Sequence, residues 1–507
     1  MSFLIPFLYA LFFIGWMKKS SFFRDSGLSF TFISSVFVVK IGAGLLLTYI
    51  YTYFYTDATT SDLFLYYNDG KIISDALKVH PSDGIRMLLG IGDSSDHFFE
   101  NYYSKMERWN RFHDAVFFND CRLIIRFDAC VQLISFGAFH AGTVIINFLS
   151  CVGLVAMYRC WRIYFRQKEI LLAFSLFCIP ALLFWSSAML KEGLLVFSVG
   201  CFLYGFFEVF IHRKFVFSTI LFLVIGLFFS LLVKVYFLIL LFPALLSYWL
   251  VFRRKSRFKL VFFALVYCSF IMVGFLFCVL LLERNPAREL IQHQHAFINV
   301  SKGGVYLYRD SIGVRLDYVD KERIIFSSQK DIVRIQKGSS YVQWNNLTMS
   351  DTVEVILSSD TSAYWHSATL PPATSAYYIP PLRYSFSSFI RYAPSALFNS
   401  FFRPFPTECK NAYQWFCSLE NIFCVFMIFF SLFFIRYRKT DFTFFLLFFS
   451  FVISLLLILG YTTPVSGALV RYKAPLLPFL LIAFFALTDV EKLQKISWFS
   501  YLNKKIN

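Results

Sequence analysis

Charged residues are scarce in this chain. Asp, Glu, Lys and Arg make up 16% of its 507 residues, whereas soluble globular proteins devote about a quarter of their residues to charge. Hydrophobic residues reach 58%, and Phe alone contributes 68 residues. This composition excludes an ordinary soluble globular protein. It predicts an α-helical polytopic membrane protein, because helices and closed barrels alone satisfy their backbone in lipid.

Several common signatures of chemistry are also absent. The 11 cysteines include no CxxC pair and no cluster at metal-ligand spacing, which argues against a zinc site. The sequence contains no Gly-rich nucleotide-binding loop and no serine-hydrolase elbow. We therefore predict that the protein requires no cofactor and assign no metal-ligating residues, and a divalent metal stays open.

The charge that is present is mainly basic. Lys and Arg number 48 against 31 Asp and Glu, which gives a formal net charge of +17. The basic residues cluster in short connections between apolar runs, at nearly every second connection. This is the positive-inside pattern, which sets the orientation of membrane helices. It requires no polyanionic ligand, so we predict no nucleic-acid partner.

The apolar runs predict about eleven membrane spans. If the basic connections are cytoplasmic, the N-terminus lies outside and the C-terminus lies inside. The first run keeps its positive charge after the apolar stretch and has no cleavage site, which indicates a retained segment. The runs lie at about 3–17, 28–55, 131–158, 169–189, 193–211, 215–233, 235–252, 259–282, 414–435, 442–461 and 474–488.

Five regions follow from this pattern. The first membrane helices occupy 1–55, and an outer loop with interfacial helices and a candidate catalytic Asp occupies 56–130. A membrane helix bundle spans 131–283. A second outer loop follows at 284–413, and the remaining membrane helices with a cytoplasmic tail occupy 414–507.

The two outer loops differ in pattern. The first mixes aromatic and charged residues, which is typical of amphipathic helices on a membrane surface. The second alternates β-branched and polar residues and predicts a small β-rich insert at about 300–375. In the first loop we expect Trp109, Phe112, Phe117 and Phe118 to face lipid, and Arg108, Arg111 and Asp114 to face water.

Asp62 is the leading candidate for catalysis. It follows the second apolar run at the outer boundary. A carboxylate there can accept a proton from a water-soluble acceptor while a lipid-borne donor lies alongside. Asp57, Asp69 and Asp75 compete for this role, and a plain solvated loop position is the structural alternative.

Four basic residues on the predicted outer side break the positive-inside pattern. Arg471 and Lys473 stand at the start of the last span, Lys191 follows the fourth span, and Arg403 precedes the ninth. The fork of an Arg and the point charge of a Lys both suit a phosphate. We predict that they bind a lipid phosphate, with anchoring in the headgroup region as the alternative.

Two more lysines fall within predicted spans, where charge is costly and marks functional candidates. Lys234 lies near the outer face and could join the phosphate group. Lys40 lies near the middle of its span, and we expect it to pair structurally.

These features together resemble the GT-C superfamily of polytopic glycosyltransferases, in particular bacterial relatives of dolichyl-phosphate-mannose protein mannosyltransferases. The resemblance rests on the outer Asp62, on the segment Arg471-Tyr-Lys-Ala-Pro at a late span and on Phe184-Trp-Ser-Ser-Ala-Met-Leu-Lys-Glu. The chain departs from that group in three respects. Its carboxylate follows the second span, Ser61-Asp62 replaces an Asp-Glu pair, and the β-rich insert is not a general feature.

The resemblance implies transfer of a sugar from a polyprenyl-phosphate carrier to an acceptor hydroxyl on the outer face of a bacterial inner membrane. Asp62 would be the general base. Arg471 and Lys473, with Lys191 or Arg403, would hold the phosphate. No metal is required, although a divalent cation stays open. The alternatives are an envelope polysaccharide polymerase or ligase, or a non-catalytic glycolipid transporter or scaffold.

Overall fold

A computed structural model describes most of the chain. The described residues are 3–54, 61–109, 120–254, 258–309, 312–316, 324–326, 332–335, 340–345, 353–356, 361–364, 366–369, 372–435 and 442–495. The helices before the second outer loop are α1 (Leu4–Lys19), α2 (Ser21–Arg24), α3 (Phe30–Tyr53), α4 (Asp62–Val79), α5 (Pro81–Leu89), α6 (Asp96–Asn101), α7 (Cys121–Ile134), α8 (Phe139–Trp161), α9 (Glu169–Phe177), α10 (Pro180–Trp185), α11 (Lys191–Phe206), α12 (Phe217–Val233), α13 (Val235–Arg253) and α14 (Lys259–Leu280). The later helices are α15 (Pro286–Ser301), α16 (Phe386–Phe402), α17 (Ala412–Phe433), α18 (Phe442–Thr462), α19 (Ser466–Lys473), α20 (Leu477–Ala486) and α21 (Val490–Gln494).

Within the described residues, eight helices are long and apolar enough to cross a membrane. They are α3, α8, α11, α13, α14, α17, α18 and the continuous pair α19–α20. The chain is therefore an α-helical integral membrane protein. The other three predicted spans coincide with shorter helices, namely α1, α12 and the divided pair α9 and α10. The count of eleven stays a prediction.

The centre of the bundle is the contact between α8 and α11. In each of these helices, 89% of the residues in the apolar 18-residue stretch are buried, whereas 6% are buried in the peripheral α14. Glycines allow the two backbones to touch, because a Cβ added at Gly200 would clash with the carbonyl oxygen of Gly153. Small residues at such a crossing are typical of helix packing in lipid, where close van der Waals contact replaces the hydrophobic effect.

An unwound turn, Ser186–Leu190, joins α10 to α11 inside this bundle. All five residues are buried, so their backbone polar groups need partners within the protein. Lys40 in α3 donates from Nζ to Ser186 Oγ at 2.6 Å and to Ser187 Oγ at 3.2 Å, and Asn147 Nδ2 donates to the carbonyl oxygen of Ser187 at 2.8 Å. Lys40 thus fixes the turn that precedes Lys191.

The first loop region, predicted to be outer, folds around Asp69 of α4. Its carboxylate accepts hydrogen bonds from the backbone N–H groups of Glu107, Arg108 and Trp109 at 3.0, 2.7 and 3.1 Å. Asp69 is only 2% exposed, so these three donors satisfy a carboxylate that burial would otherwise leave unpaired. The result is a fixed position for the backbone of residues 107–109.

The expectation that Trp109 faces lipid is wrong. Trp109 is 1% exposed, and the guanidinium groups of Arg122 and Arg126 each lie 5.0 Å from its ring centroid. Tyr103 stacks on the same indole with a centroid distance of 4.7 Å. Cation–π and ring contacts therefore place the indole inside the loop. The other residues expected on the lipid and water faces, Phe112, Phe117, Phe118, Arg111 and Asp114, lie outside the described residues.

Short strands occupy part of the second outer loop. They are β1 (Val305–Arg309), β2 (Ile312–Leu316), β3 (Ile324–Phe326), β4 (Ile332–Ile335), β5 (Ser340–Asn345), β6 (Val353–Ile356), β7 (Thr361–Tyr364) and β8 (His366–Thr369). They pair antiparallel in the orders β6-β5-β2-β1-β8 and β3-β4-β7. Most of their connections lie outside the described residues, and a β-rich insert as a folded unit stays a prediction.

The glycine crossing predicts that Gly200→Leu destabilises the protein. The new side chain has no space beside the backbone of Gly153, and overpacking of this kind costs about 1–3 kcal/mol. Unfolding of the purified protein by denaturing detergent measures the loss. Gly274→Leu is the matched control, because no atom lies within 4 Å of a Cβ added at Gly274. Equal stability of the two variants would contradict the proposed packing.

Candidate functional site

The guanidinium of Arg471 joins two carboxylates that are distant in sequence. Arg471 Nη1 donates to Oδ2 of Asp62, 409 residues away, at 2.8 Å. Its Nε and Nη2 donate to the two carboxylate oxygens of Glu192 at 3.0 and 3.1 Å. This forked contact uses the planar geometry of the Arg side chain. The helix α19, which forms the first part of the last span, places Arg471 against the N-terminal ends of α4 and α11.

Both oxygens of Asp62 are engaged by cations. Arg108 Nη2 lies 3.1 Å from Oδ1, on the side opposite to Arg471. Burial alone would raise the pKa of Asp62, but the positive charges of Arg471 and Arg108 hold that pKa well below its usual range. The Asp62 side chain keeps 28% of its exposure and that of Arg108 keeps 29%. Asp62 is therefore an ionised carboxylate that is partly exposed at the protein surface.

Glu192 is the buried anchor of Arg471. Its side chain is 0% exposed, and it pairs also with Lys234, whose Nζ lies 3.2 Å from Oε1 and whose side chain is 4% exposed. Lys234 stands over the ring of Tyr472 at 4.8 Å from the centroid. Charges this deep persist only with partners. Glu192 thus fixes the direction in which Arg471 points.

Lys191 completes the group on the other side. Its Nζ lies 2.8 Å from Oδ1 of Asp120, the residue before α7, and 5.9 Å from the ring centroid of Tyr66. We refer to the whole set as the outer charge cluster, because the sequence predicts the outer side of the membrane for it. Among the described residues it contains four cations and three carboxylates, namely Arg108, Lys191, Lys234, Arg471, Asp62, Asp120 and Glu192.

Lys473 is not part of this cluster. Arg471 and Lys473 are two positions apart on α19, and residues at that spacing do not share a helix face. Lys473 is 2% exposed, and its Nζ donates to the carbonyl oxygens of Phe401 and Arg403 at 3.3 and 2.7 Å and to Asn421 Oδ1 at 2.8 Å. These contacts satisfy all three protons of the ammonium group.

Arg403 lies beside Lys473 in this second group. Its Nη1 lies 3.0 Å from Oε1 of Glu408, its Nε donates to Asn399 Oδ1 at 3.1 Å, and its guanidinium stands 4.0 Å from the ring centroid of Tyr377. The structure therefore divides the four predicted phosphate ligands into two pairs. Arg471 and Lys191 lie with Asp62, whereas Lys473 and Arg403 hold the segment before α17.

The competing carboxylates have other positions. Asp69 accepts hydrogen bonds from the backbone of residues 107–109, and Asp57 lies outside the described residues. Asp75 is exposed and pairs with Lys78 at 3.3 Å. Among the described residues, no group of three or more His, Cys, Asp or Glu side chains could hold a metal ion. Asp62 is thus the candidate base that lies within the outer charge cluster.

Sequence reasoning passed over Glu192, Arg108 and Asp120 as members of the site. Glu192 was available as a carboxylate at membrane depth, which is a functional signal by itself. From the sequence, Glu192 is interpreted as the ion-pair partner of its neighbour Lys191, but adjacent residues of a helix do not face each other. Arg108 and Asp120 carry no comparable signal, because their approach depends on how the outer loop folds.

Comparisons of the chain with family models, curated proteins and solved structures gave no match. The resemblance to GT-C glycosyltransferases therefore stays a prediction that rests on the residues of this chain.

The buried pairing predicts that Glu192→Gln strongly destabilises the fold. The change leaves Lys234 buried without its carboxylate and weakens the fork with Arg471. Removing one partner of a buried ion pair costs about 3–5 kcal/mol. Unfolding in denaturing detergent measures the loss, and the double variant Glu192→Gln/Lys234→Met should recover part of it.

The matched control for Glu192→Gln is Asp75→Asn. Asp75 pairs with Lys78 at 3.3 Å, but both side chains are about half exposed, so the loss should stay below about 1 kcal/mol. If Glu192→Gln lowered the free energy of unfolding as little as Asp75→Asn does, the charge cluster would contribute no more to stability than a surface ion pair.

Asp69 predicts a pH dependence of stability. Burial raises the pKa of Asp69 from 3.8 to about 6, although the three backbone N–H groups oppose the shift. Between these values the folded state holds more protons than the unfolded state, so stability falls as the pH rises from about 4 to about 6. The free energy of unfolding of the parent minus that of Asp69→Asn should fall by up to about 3 kcal/mol over this interval. A constant difference would contradict this assignment.

Proposed function

We propose that the chain is a membrane glycosyltransferase that moves a sugar from a polyprenyl-phosphate carrier to an acceptor hydroxyl on the outer face of a bacterial inner membrane. The observation that carries the proposal is the 2.8 Å contact between Asp62 and Arg471. It joins a partly exposed carboxylate to a cation at the start of a membrane span. A water-soluble acceptor and a lipid phosphate could meet at such a place.

The reaction needs two kinds of group. The acceptor oxygen forms a bond to the anomeric carbon of the sugar, the bond from that carbon to the phosphate oxygen breaks, and the acceptor proton passes to Asp62. The leaving polyprenyl phosphate gains one negative charge. Arg471, with Arg108 and Lys191 close by, is placed to stabilise that charge.

The existing ion pairs suggest how the base becomes active. With both oxygens bound to Arg471 and Arg108, Asp62 has a low pKa and is a weak base. A phosphate that binds the same guanidinium groups takes these hydrogen bonds from Asp62. The pKa of Asp62 then rises, because its neutralising cations are shared with a second anion. Donor binding thus prepares the carboxylate for the acceptor.

The cations of the outer charge cluster suit a phosphate ligand. Among the described residues of the cluster, four cations stand beside three carboxylates, and a phosphodiester carries one negative charge. Lys473 and Arg403 act indirectly in this proposal, since they hold the segment before α17 and not the phosphate. No step requires a metal.

The same proposal includes the topology. Counting α1, α12 and the pair α9–α10 with the eight longer helices gives eleven spans. The N-terminus is then outside, the C-terminus is cytoplasmic, and the strands at 305–369 belong to a β-rich insert on the outer side. This alternation puts Asp62, Lys191 and Arg471 on one side of the membrane, and their proximity supports it.

The proposal predicts that Asp62→Asn abolishes sugar transfer. Loss of a general base lowers the rate by about 100- to 10,000-fold. Purified protein in lipid nanodiscs would receive radiolabelled polyprenyl-phosphate hexoses and envelope glycan, lipid or protein acceptors. The transferred label measures the rate. Asp75→Asn, an exposed carboxylate on the same helix, should keep the parent rate.

Two results would count against the proposal. Full transfer by Asp62→Asn would remove the base assignment. If the parent transferred no sugar from any of these donors, a polysaccharide polymerase or ligase, or a non-catalytic glycolipid transporter, would replace the glycosyltransferase.

A further inference from the structure

Helix α16 exposes an apolar face, although it is not one of the eight helices long enough to cross a membrane. Phe386, Ile390 and Phe398 are 82%, 59% and 54% exposed. The opposite face of the helix is buried at Ala396 and Ser400. The helix is therefore amphipathic, and its exposed apolar face indicates an interaction surface.

The C-terminal end of α16 lies at membrane depth. The carbonyl oxygen of Arg403 accepts hydrogen bonds from Lys473 Nζ at 2.7 Å and from Asn421 Nδ2 at 3.0 Å, and that of Phe402 accepts from Asn421 Nδ2 at 3.0 Å. Asn421 lies in the third turn of the span α17, about 13 Å along the axis from its first residue. Lys473 ends α19, the first part of the last span. Two spans thus supply the donors that lipid lacks.

The first half of α16 lies beside the end of the span α18. The hydroxyl of Tyr461 donates to the carbonyl oxygen of Phe389, and the two rings meet edge to face with centroids 5.7 Å apart. A Cβ added at Gly460 would clash with the carbonyl oxygen of Ala396. Phe389 and Ala396 are about 10 Å apart along α16 but contact neighbouring residues of α18. Helix α16 therefore runs obliquely across the end of this span, which is the position of an interfacial helix.

The charge of this region suits an anionic surface. Residues 361–407 contain three arginines and no Asp or Glu. Arg383 and Arg391 are exposed, and neither pairs with a carboxylate among the described residues. Arg391 precedes Phe398 by two turns and shares its face of the helix. Basic and apolar side chains in such proximity are typical of helices that bind anionic lipid.

We propose that α16 is an interfacial helix whose exposed face is covered by phospholipid. Ile390 and Phe398 contact acyl chains, and Arg383 and Arg391 bind the phosphates of anionic headgroups. The partner is lipid because the end of α16 is held by two membrane spans and because its exposed residues combine apolar with basic side chains. Lys473 connects α16 to α19, the helix that carries Arg471. The contact with lipid stands whether or not the protein transfers sugar.

Photocrosslinking tests this contact in the full-length protein. Ile390→p-benzoylphenylalanine and Phe398→p-benzoylphenylalanine are each irradiated in nanodiscs that contain equal amounts of phosphatidylglycerol and phosphatidylcholine, and mass spectrometry identifies the adducts. Both positions should form lipid adducts, with about 5-fold more phosphatidylglycerol than phosphatidylcholine. Adding Arg383→Gln and Arg391→Gln should remove this preference and leave the total yield of lipid adducts unchanged.

Phe429→p-benzoylphenylalanine is the matched control. Phe429 is 67% exposed in the span α17, so it should form lipid adducts whose ratio does not respond to the two arginine substitutions. Lipid adducts at position 429 without any at 390 and 398 would overturn the proposal. Adducts with another segment of the chain or with a second copy, in place of lipid, would also overturn it, because protein would then cover the face. Equal yields of the two lipids with both arginines present would overturn the headgroup contact.

Discussion

The fork between Arg471 and Glu192 is the interaction on which the rest of the site depends. Glu192 is inaccessible to solvent and engages two of the three guanidinium nitrogens, so a single nitrogen is left to meet Asp62. The first outer loop is thereby attached to the bundle by charge. Because a charge in a low-dielectric surrounding is stable only with its partner, the arrangement of α4, α11 and α19 is specified by electrostatics as well as by packing.

Hydrogen bonds between charged side chains and backbone groups hold the residues of the site in place. Asp69 fixes the backbone that carries Arg108 to Asp62, and Lys473 fixes the segment that precedes α17. In both cases a buried charged side chain forms hydrogen bonds with backbone groups of an irregular segment. Irregular backbone at or near membrane depth is tolerated where the protein itself supplies the missing partners. The residues that position the site therefore carry charge, as do the residues that are proposed to react.

Composition identified the helical membrane fold. The exceptions to the positive-inside pattern placed Asp62 and Arg471 on the same predicted side of the membrane, but the ion pair between them was not predicted. Sequence reasoning grouped Lys473 with Arg471 because the two are close in sequence, although a spacing of two turns them to different sides of α19. It missed Arg108, since the approach of that residue follows from backbone hydrogen bonds to Asp69. A linear pattern does not encode such contacts, and it also misplaced Trp109, whose partners are two arginines from α7.

The bond from Lys40 to the unwound turn has a mechanical consequence. Lys40 lies within the membrane span α3, and its ammonium group donates hydrogen bonds to the turn that leads directly into Lys191 and Glu192. The position of Lys191 and Glu192 across the membrane is therefore set by the contact of this turn with α3, and not by contact with the lipid headgroups. A thinner or thicker bilayer changes the tilt of α3. The carboxylate of Glu192 and the guanidinium of Arg471 then move together with α3. The distances within the charge cluster therefore do not depend on the thickness of the surrounding membrane.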